Sequence, residues 1–274
     1  MSTLAGFTFD RDLATAATIP STWYRDPAIL QREQDRIFAK TWQLVGHSEQ
    51  VALPGDYFTC VVADEPLVVT RGDDGALHAF SNVCRHRAGP VARGAGHRKA
   101  LMCGYHGWTY SLEGKLLTTP EWEGVRCFEK ERQNLPAARV ETWGTFLFVC
   151  LDPATPPLAE VLGSIPKETS HLPLTRMSLF KKVDYEVACN WKLLAENAME
   201  AYHTGTVHGG SLGQQTGEQV RTRGHWDALF IAQETSIAVL PGEAAPFACG
   251  VAKSPSSSVV FGVRRGTRSL LEGP

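Results

Sequence analysis

Between about residues 43 and 151 the hydrophobic positions gather into short β-rich runs set off by polar turns: DYFTCVVA (56–63), PLVVTRG (66–72), ALHAFSNV (76–83) and GTFLFVCL (144–151). Their β-branched and aromatic residues suit a pleated surface, and Pro54-Gly55, Asp73-Asp74-Gly75 and Glu113-Gly114 supply turns. The pattern predicts a compact antiparallel β domain over 43–155. Ahead of it, PAILQREQDRIFAKTW (27–42) sets Ile29, Leu30, Ile37 and Phe38 at helical spacing among charged residues, with Pro27 suited to a first turn. One amphipathic helix within a 1–42 segment is expected there. Beyond the β domain, Pro153, Pro156 and Pro157 mark a connection, after which the texture changes. VDYEVACN (183–190) reads as a strand, WKLLAENAMEAYH (191–203) as a helix of good formers, and DALFIAQE and SSVVFGV as further strands. These make a second domain, α+β, over 156–274.

Charge and composition narrow the class of partners. The 27 Lys and Arg nearly balance the 29 Asp and Glu, for a formal charge of -2, so no overall field gathers nucleic acid or an anionic membrane. No apolar run reaches the roughly 18 residues that a membrane helix needs, and MSTLAGFTFDRDLATA lacks the basic and apolar regions of a secretory leader. A cytoplasmic protein is expected. Seven cysteines, an odd number spread along the chain, suit a reducing compartment in which two serve as metal ligands. Cys60, Cys127, Cys150, Cys189 and Cys249 are expected to pack as small inert hydrophobes.

Candidate chemistry lies first in two mixed pairs, Cys84-Arg-His86 and Cys103-Gly-Tyr-His106, with 16 residues between them. Each loop offers a soft thiolate and an imidazole. Four such ligands suit a two-iron, two-sulfur cluster whose histidine-bound iron raises the potential to roughly -150 to +300 mV. A structural zinc uses the same four residue types, but more often groups them as two close cysteines and two close histidines. The mixed pairing, followed by Gly107 and Trp108, favours the cluster.

CRHRAGP and CGYHGWTY resemble the two cluster loops of Rieske proteins, in particular those of Rieske non-haem iron oxygenases. The resemblance implies that Cys84 and Cys103 bind a buried iron of a [2Fe-2S] cluster, that His86 and His106 bind the outer iron, and that Trp108 packs beneath. Gly104 stands where proline is frequent in that family, a change that bears on loop stiffness rather than ligation.

A second constellation is Glu200, His203 and His208. Glu200 and His203 share a helix face, while His208 would lie about 140° round an unbroken helix. Thr204, Gly205, Thr206 and Val207 are poor helix formers, so a local break there would let His208 swing back. Two imidazoles and a carboxylate on one face make the site type in which Fe(II) meets oxygen beside a substrate. Taken alone, two helix-end histidines more often cap carbonyls.

The stretch Asn190-Trp191-Lys192, Glu196-Asn197, Glu200, Tyr202-His203 and His208 resembles the iron motif of the same family's large (alpha) subunit. The resemblance implies that His203 and His208 ligate a mononuclear Fe(II), that Asn197 lies near it, and that Glu200 bridges to a cluster histidine of a neighbouring subunit, hence a homotrimer, or an assembly with a beta subunit. Glu at position 200 is similar to the branch acting on choline and carnitine. The family's third ligand, a carboxylate, lies far downstream, whereas 66 residues follow His208 and none of Glu218, Asp227, Glu234, Glu243 or Glu272 sits in a matching context. A truncated or frame-disrupted chain is the expectation.

The fold class implied is α+β, with an all-β Rieske domain (43–155) ahead of an incomplete helix-grip catalytic domain (156–274) on which the 1–42 segment packs. The function implied is that of a terminal oxygenase component. It would take electrons from NAD(P)H through a flavin and iron-sulfur reductase or a ferredoxin, and use O2 to hydroxylate an organic substrate, an aromatic ring or a quaternary ammonium or N-methyl compound. The alternatives are a Rieske electron-transfer protein, or an inactive oxygenase fragment without a complete iron site.

Overall fold

The computed structural model describes residues 7, 8, 10, 12, 14–198, 203–207, 215–221, 227–233 and 257–258. They fall into two units, one of residues 27–162 and 172–182, the other of the residues before 27, 163–171 and those from 183 onward.

In the first unit helix α1 (Pro27–Arg36) leads into β1 (Gln43–His47), β2 (Asp56–Val62), β3 (Glu65–Arg71), β4 (Leu77–Ser81), β5 (Ala95–His97), β6 (Leu101–Met102), β7 (Thr109–Tyr110), β8 (Leu116–Thr118), β9 (Ala137–Trp143) and β10 (Phe146–Cys150), closed by α2 (Leu158–Leu162). Seven strands form one antiparallel sheet in the order β1-β10-β9-β4-β3-β2-β5, and β6-β7-β8 form a small second sheet. The four expected runs are β2, β3, β4 and β10, and the second and third expected turns join β3 to β4 and β7 to β8.

Helix α1 departs from its expected face. It ends at Arg36, so Ile37 opens a separate 3-10 turn and is exposed, while Glu33 and Gln34 are buried and Ile29 and Leu30 half-buried. Four apolar positions do not form one stripe once the helix stops between them.

Strand period explains why the central sheet is apolar on both sides. Successive residues face opposite ways, so Tyr57, Val68 and Phe80 join Leu101, Tyr110, Leu112 and both Cys84 and Cys103 in one core. Phe58, Cys60, Val62, Leu67, Val69 and Ala79 join Leu147 and Val149 in the other. A slip of one residue in β3 would exchange the two sets, so burial on both faces pins the register.

The second unit contains α3 (Ile165–Glu168), α4 (Trp191–Ala198), α5 (Thr204–Val207) and the antiparallel sheet β11 (Gln215–Arg221), β12 (Asp227–Gln233), β13 (Ser257–Ser258), in that order. Helix α4 covers the first eight residues of the helix expected over 191–203, of which 199–202 lie outside the described residues, and β12 covers all but the last residue of DALFIAQE; of SSVVFGV only Ser257 and Ser258 are described. The strand expected over 183–190 does not form. Val183, Tyr185 and Val187 are exposed and the segment joins no ladder among the described residues, so it has neither the edge nor the covered face that a strand requires.

Candidate metal centre

The two candidate ligand loops share one backbone plan. The Cys84 N–H donates to the Gly89 carbonyl (2.8 Å), and the Cys103 N–H donates to Trp108 (2.9 Å), five residues on in both. The amides of Ala88 and Gly107 return to the carbonyls of Cys84 and Cys103 (both 3.0 Å). Closing so tight a loop needs a left-handed residue at the fourth position, and Ala88 (φ 57°) and Gly107 (φ 73°) fill it. His86 and His106 project from inside these turns.

Buried hydrogen bonds brace the loops from below. Asn82 Oδ1 accepts from Val91 N (3.1 Å) and Ala92 N (2.9 Å), and its Nδ2 donates to the Ala92 carbonyl (2.9 Å), tying the two ends of the first loop together. Tyr110, fully buried, accepts from Arg85 N (3.1 Å) and lies 3.4 Å from Cys84 Sγ. Because the amide already occupies the phenol oxygen as acceptor, the hydroxyl proton is free to point at the sulfur. Burial pushes the Tyr110 phenol far above its ordinary value, with the bond to Cys84 adding to the shift, so it stays a donor.

Cys84 and Cys103 are buried thiols, neither in a disulfide, while His86 is half-buried and His106 exposed. The imidazole centroids lie 4.6 Å apart. Trp108 is buried and stacks on His86 at 4.9 Å, nearly parallel at 9°. A Cβ added to Gly89 would sit 2.9 Å from Cys103 Sγ, so the loops touch where the glycine has no side chain. Burial raises the Cys103 thiol and the neighbouring Cys84 adds to that, while N–H groups of Tyr105 and His106 act the other way. Desolvation, then His106 and Arg87, holds His86 below its usual value and so in the neutral form that ligates metal.

These residues fit a two-iron, two-sulfur cluster. Two thiolates in a dry floor, with N–H and O–H donors nearby, can balance ferric charge, and two neutral imidazoles stand at the solvent side. Asn82 and Tyr110 were not read from the sequence. An Asn inside the apolar run FSNVC was the available signal, since such residues bond their own backbone where a strand breaks.

In the second unit, Asn197 is exposed on α4, and Tyr24 donates to the Glu196 carboxylate (2.8 Å). His203 is half-buried at a turn, and its carbonyl accepts from Thr206 N (3.1 Å) and Val207 N (2.8 Å). Thr204–Val207 therefore form a helical turn, α5, separate from α4; residues 199–202 between the two lie outside the described residues. Glu200 and His208 lie outside the described residues. Of the cysteines expected to pack, Cys60 and Cys150 are buried, but Cys127 and Cys189 are exposed; Cys249 lies outside the described residues. Asp74, His78 and Glu113 also converge within 4.8 Å. They serve the β3–β4 turn: Asp74 accepts from Ala76 N and bonds His78, and Glu113 accepts from Asp73 N.

Fold and loops together define a cluster-binding β domain of Rieske type. Residues 41–129 match the Rieske [2Fe-2S] domain, and residues 174–245 match the ring hydroxylating alpha subunit (catalytic domain). The chain is 35% identical over 213 residues to choline monooxygenase of Arabidopsis thaliana, spanning 72% of this chain and 50% of that one. It is 36% identical over 200 residues to benzene 1,2-dioxygenase subunit alpha of Pseudomonas putida, spanning 70% and 44%. The solved quaternary ammonium Rieske monooxygenase CntA in complex with L-carnitine superposes with a TM-score of 0.73 at 30% identity, over 77% of this chain and 62% of that one. The chain belongs to the Rieske non-haem iron oxygenase family and is of the alpha-subunit type. It spans about half the length of the curated relatives it matches. Among the described residues, no helix is long and apolar enough to cross a membrane.

Proposed function

We propose that this chain is the terminal oxygenase component of a Rieske system, passing electrons from a [2Fe-2S] cluster to a mononuclear iron for O2-dependent hydroxylation of an organic substrate. The observation that carries the reading is the arrangement of Cys84 and Cys103, buried side by side, under His86 and His106 at the surface. When bound, the two centres supply one-electron transfer and oxygen activation. The chain's own part is positional. Cys84 and Cys103 provide the thiolates, the phenol of Tyr110 and the amides of Tyr105 and His106 donate toward those sulfurs, and the stack on Trp108 fixes the His86 ring. The exposed side of His106 is where a reductase or ferredoxin, fed by NAD(P)H, would dock.

His203 and His208 would hold the mononuclear iron. Glu200 would accept N–H bonds from histidines on either side, orienting both, across a subunit boundary in a homotrimer or an assembly with a beta subunit, with Asn197 beside the iron. The domain scheme that accompanies this reading is 1–42 packing on 156–274, with 43–155 as the Rieske domain, in a cytoplasmic protein. The likeness to choline monooxygenase and CntA supports a quaternary ammonium or N-methyl substrate, and that to the benzene enzyme supports an aromatic ring.

Iron and acid-labile sulfide in anaerobically purified protein test the reading. About three irons and two sulfides per chain are expected, falling to about two irons in the His203→Ala, His208→Ala double variant. Two irons in both proteins would leave an electron carrier. Oxygen uptake with choline, carnitine and benzene as separate substrates then distinguishes the substrate classes.

A further inference from the structure

Three buried side-chain polar atoms lack a hydrogen-bond partner among the described residues: His47 Nε2, Trp122 Nε1 and Ser164 Oγ. His47 packs beside Phe146 in β1, and Ser164 belongs to the second unit. Only Trp122 adjoins the ligand loops. It lies between β8 and the 3-10 turn at Lys130–Gln133, with its ring 5.5 Å from His86 and 5.3 Å from Trp108, nearly perpendicular to both (82° and 89°). Phe128 closes the box at 5.5 Å.

Indole N–H is a donor and never an acceptor, and buried donors almost always find partners. Here the neighbours are two hydrocarbon-faced rings and the imidazole of a candidate ligand, and none of them accepts the bond. We propose that Trp122 donates its indole N–H to a sulfur of the [2Fe-2S] cluster and so holds the cluster's reduction potential up. This rests on reading Cys84, His86, Cys103 and His106 as the cluster ligands. One-electron reduction adds negative charge to the cluster, so an N–H aimed at sulfur stabilises the reduced form more than the oxidised form. Trp122 acts as a positioning residue, through hydrogen bonding and packing and not by ligation.

The test is an anaerobic redox titration of the full chain and of Trp122→Phe, which keeps an aromatic ring in the box and removes the donor. The expected result is a full complement of iron and sulfide in both, with a lower midpoint potential in the variant. An unchanged potential in a fully loaded variant overturns the proposal. If Trp122→Phe does not assemble, the wild-type chain carrying 15N-indole tryptophan at position 122 alone decides: a 15N coupling on its reduced cluster supports the bond, and its absence overturns it. Wild-type protein that holds no iron or sulfide overturns the ligand reading, and this proposal with it.

Discussion

Asn82 does with one side chain what a pair of strands does with a ladder. Its amide makes three buried bonds to Val91 and Ala92, so the loop carrying Cys84 and His86 leaves and re-enters the core at fixed points. Asn82→Ala would leave the buried Ala92 N–H and carbonyl without these partners, while the Val91 N–H keeps its 3.3 Å bond to the backbone carbonyl of residue 82, and unmade buried bonds cost about 1–3 kcal/mol each before any relaxation. A stability loss of about 2–4 kcal/mol is expected in denaturant unfolding, with an unchanged m-value and reduced cluster occupancy. A loss within 0.5 kcal/mol would mean that the loop holds itself. The four candidate ligands were legible in the sequence because each pair sits within a few residues of chain. Tyr110 and Trp122 were not, because what they do depends on approaches between segments far apart in sequence, and Asn82 was missed although its bonds reach only nine and ten residues along the chain.

At the scale of elements, the centre is two copies of one loop pressed together, each with a left-handed fourth residue and each closed five residues beyond its cysteine. Their contact runs through Gly89, whose missing Cβ leaves the room that Cys103 Sγ occupies. Gly89→Ala would set a methyl group 2.9 Å from that sulfur, nearer than carbon and sulfur can rest, and both neighbours are held by backbone bonds. Loss of most of the visible cluster absorption is expected, with far-ultraviolet dichroism close to that of the parent because the seven-stranded sheet does not depend on this contact. Full cluster content in the variant would show that the loops can separate without cost. Turns and strands were legible here because period and glycine placement are local signals. The segment at 183–190, expected as a strand, reads equally well as an edge strand or as extended chain, and only a partner decides between them.

At the scale of the whole molecule, the β unit carries everything it needs. Among the described residues, every fully buried member of its two cores lies between Val51 and Val149. Its outgoing connection folds back onto it: Trp42 Nε1 donates to the Pro156 carbonyl (2.9 Å), Thr155 Oγ1 donates to Lys40 (2.8 Å), and Arg139 bonds Thr155 while lying 4.7 Å over the Trp42 ring. Even the segment from Leu172 to Lys182 belongs to this unit, where Thr145 Oγ1 donates to Leu174 and Leu179 N donates to Glu49. A domain with its own core and its own termini fastened down should fold without the rest. Residues 27–182 expressed alone are therefore expected to unfold in one cooperative transition. They should carry about two irons and two sulfides with the absorption and resonance spectra of the full chain, and no further iron because His203 and His208 are absent. Recovery of the fragment as an unfolded chain would mean that the sheet's stability comes from the second unit, and would recast the β unit as one half of a larger core.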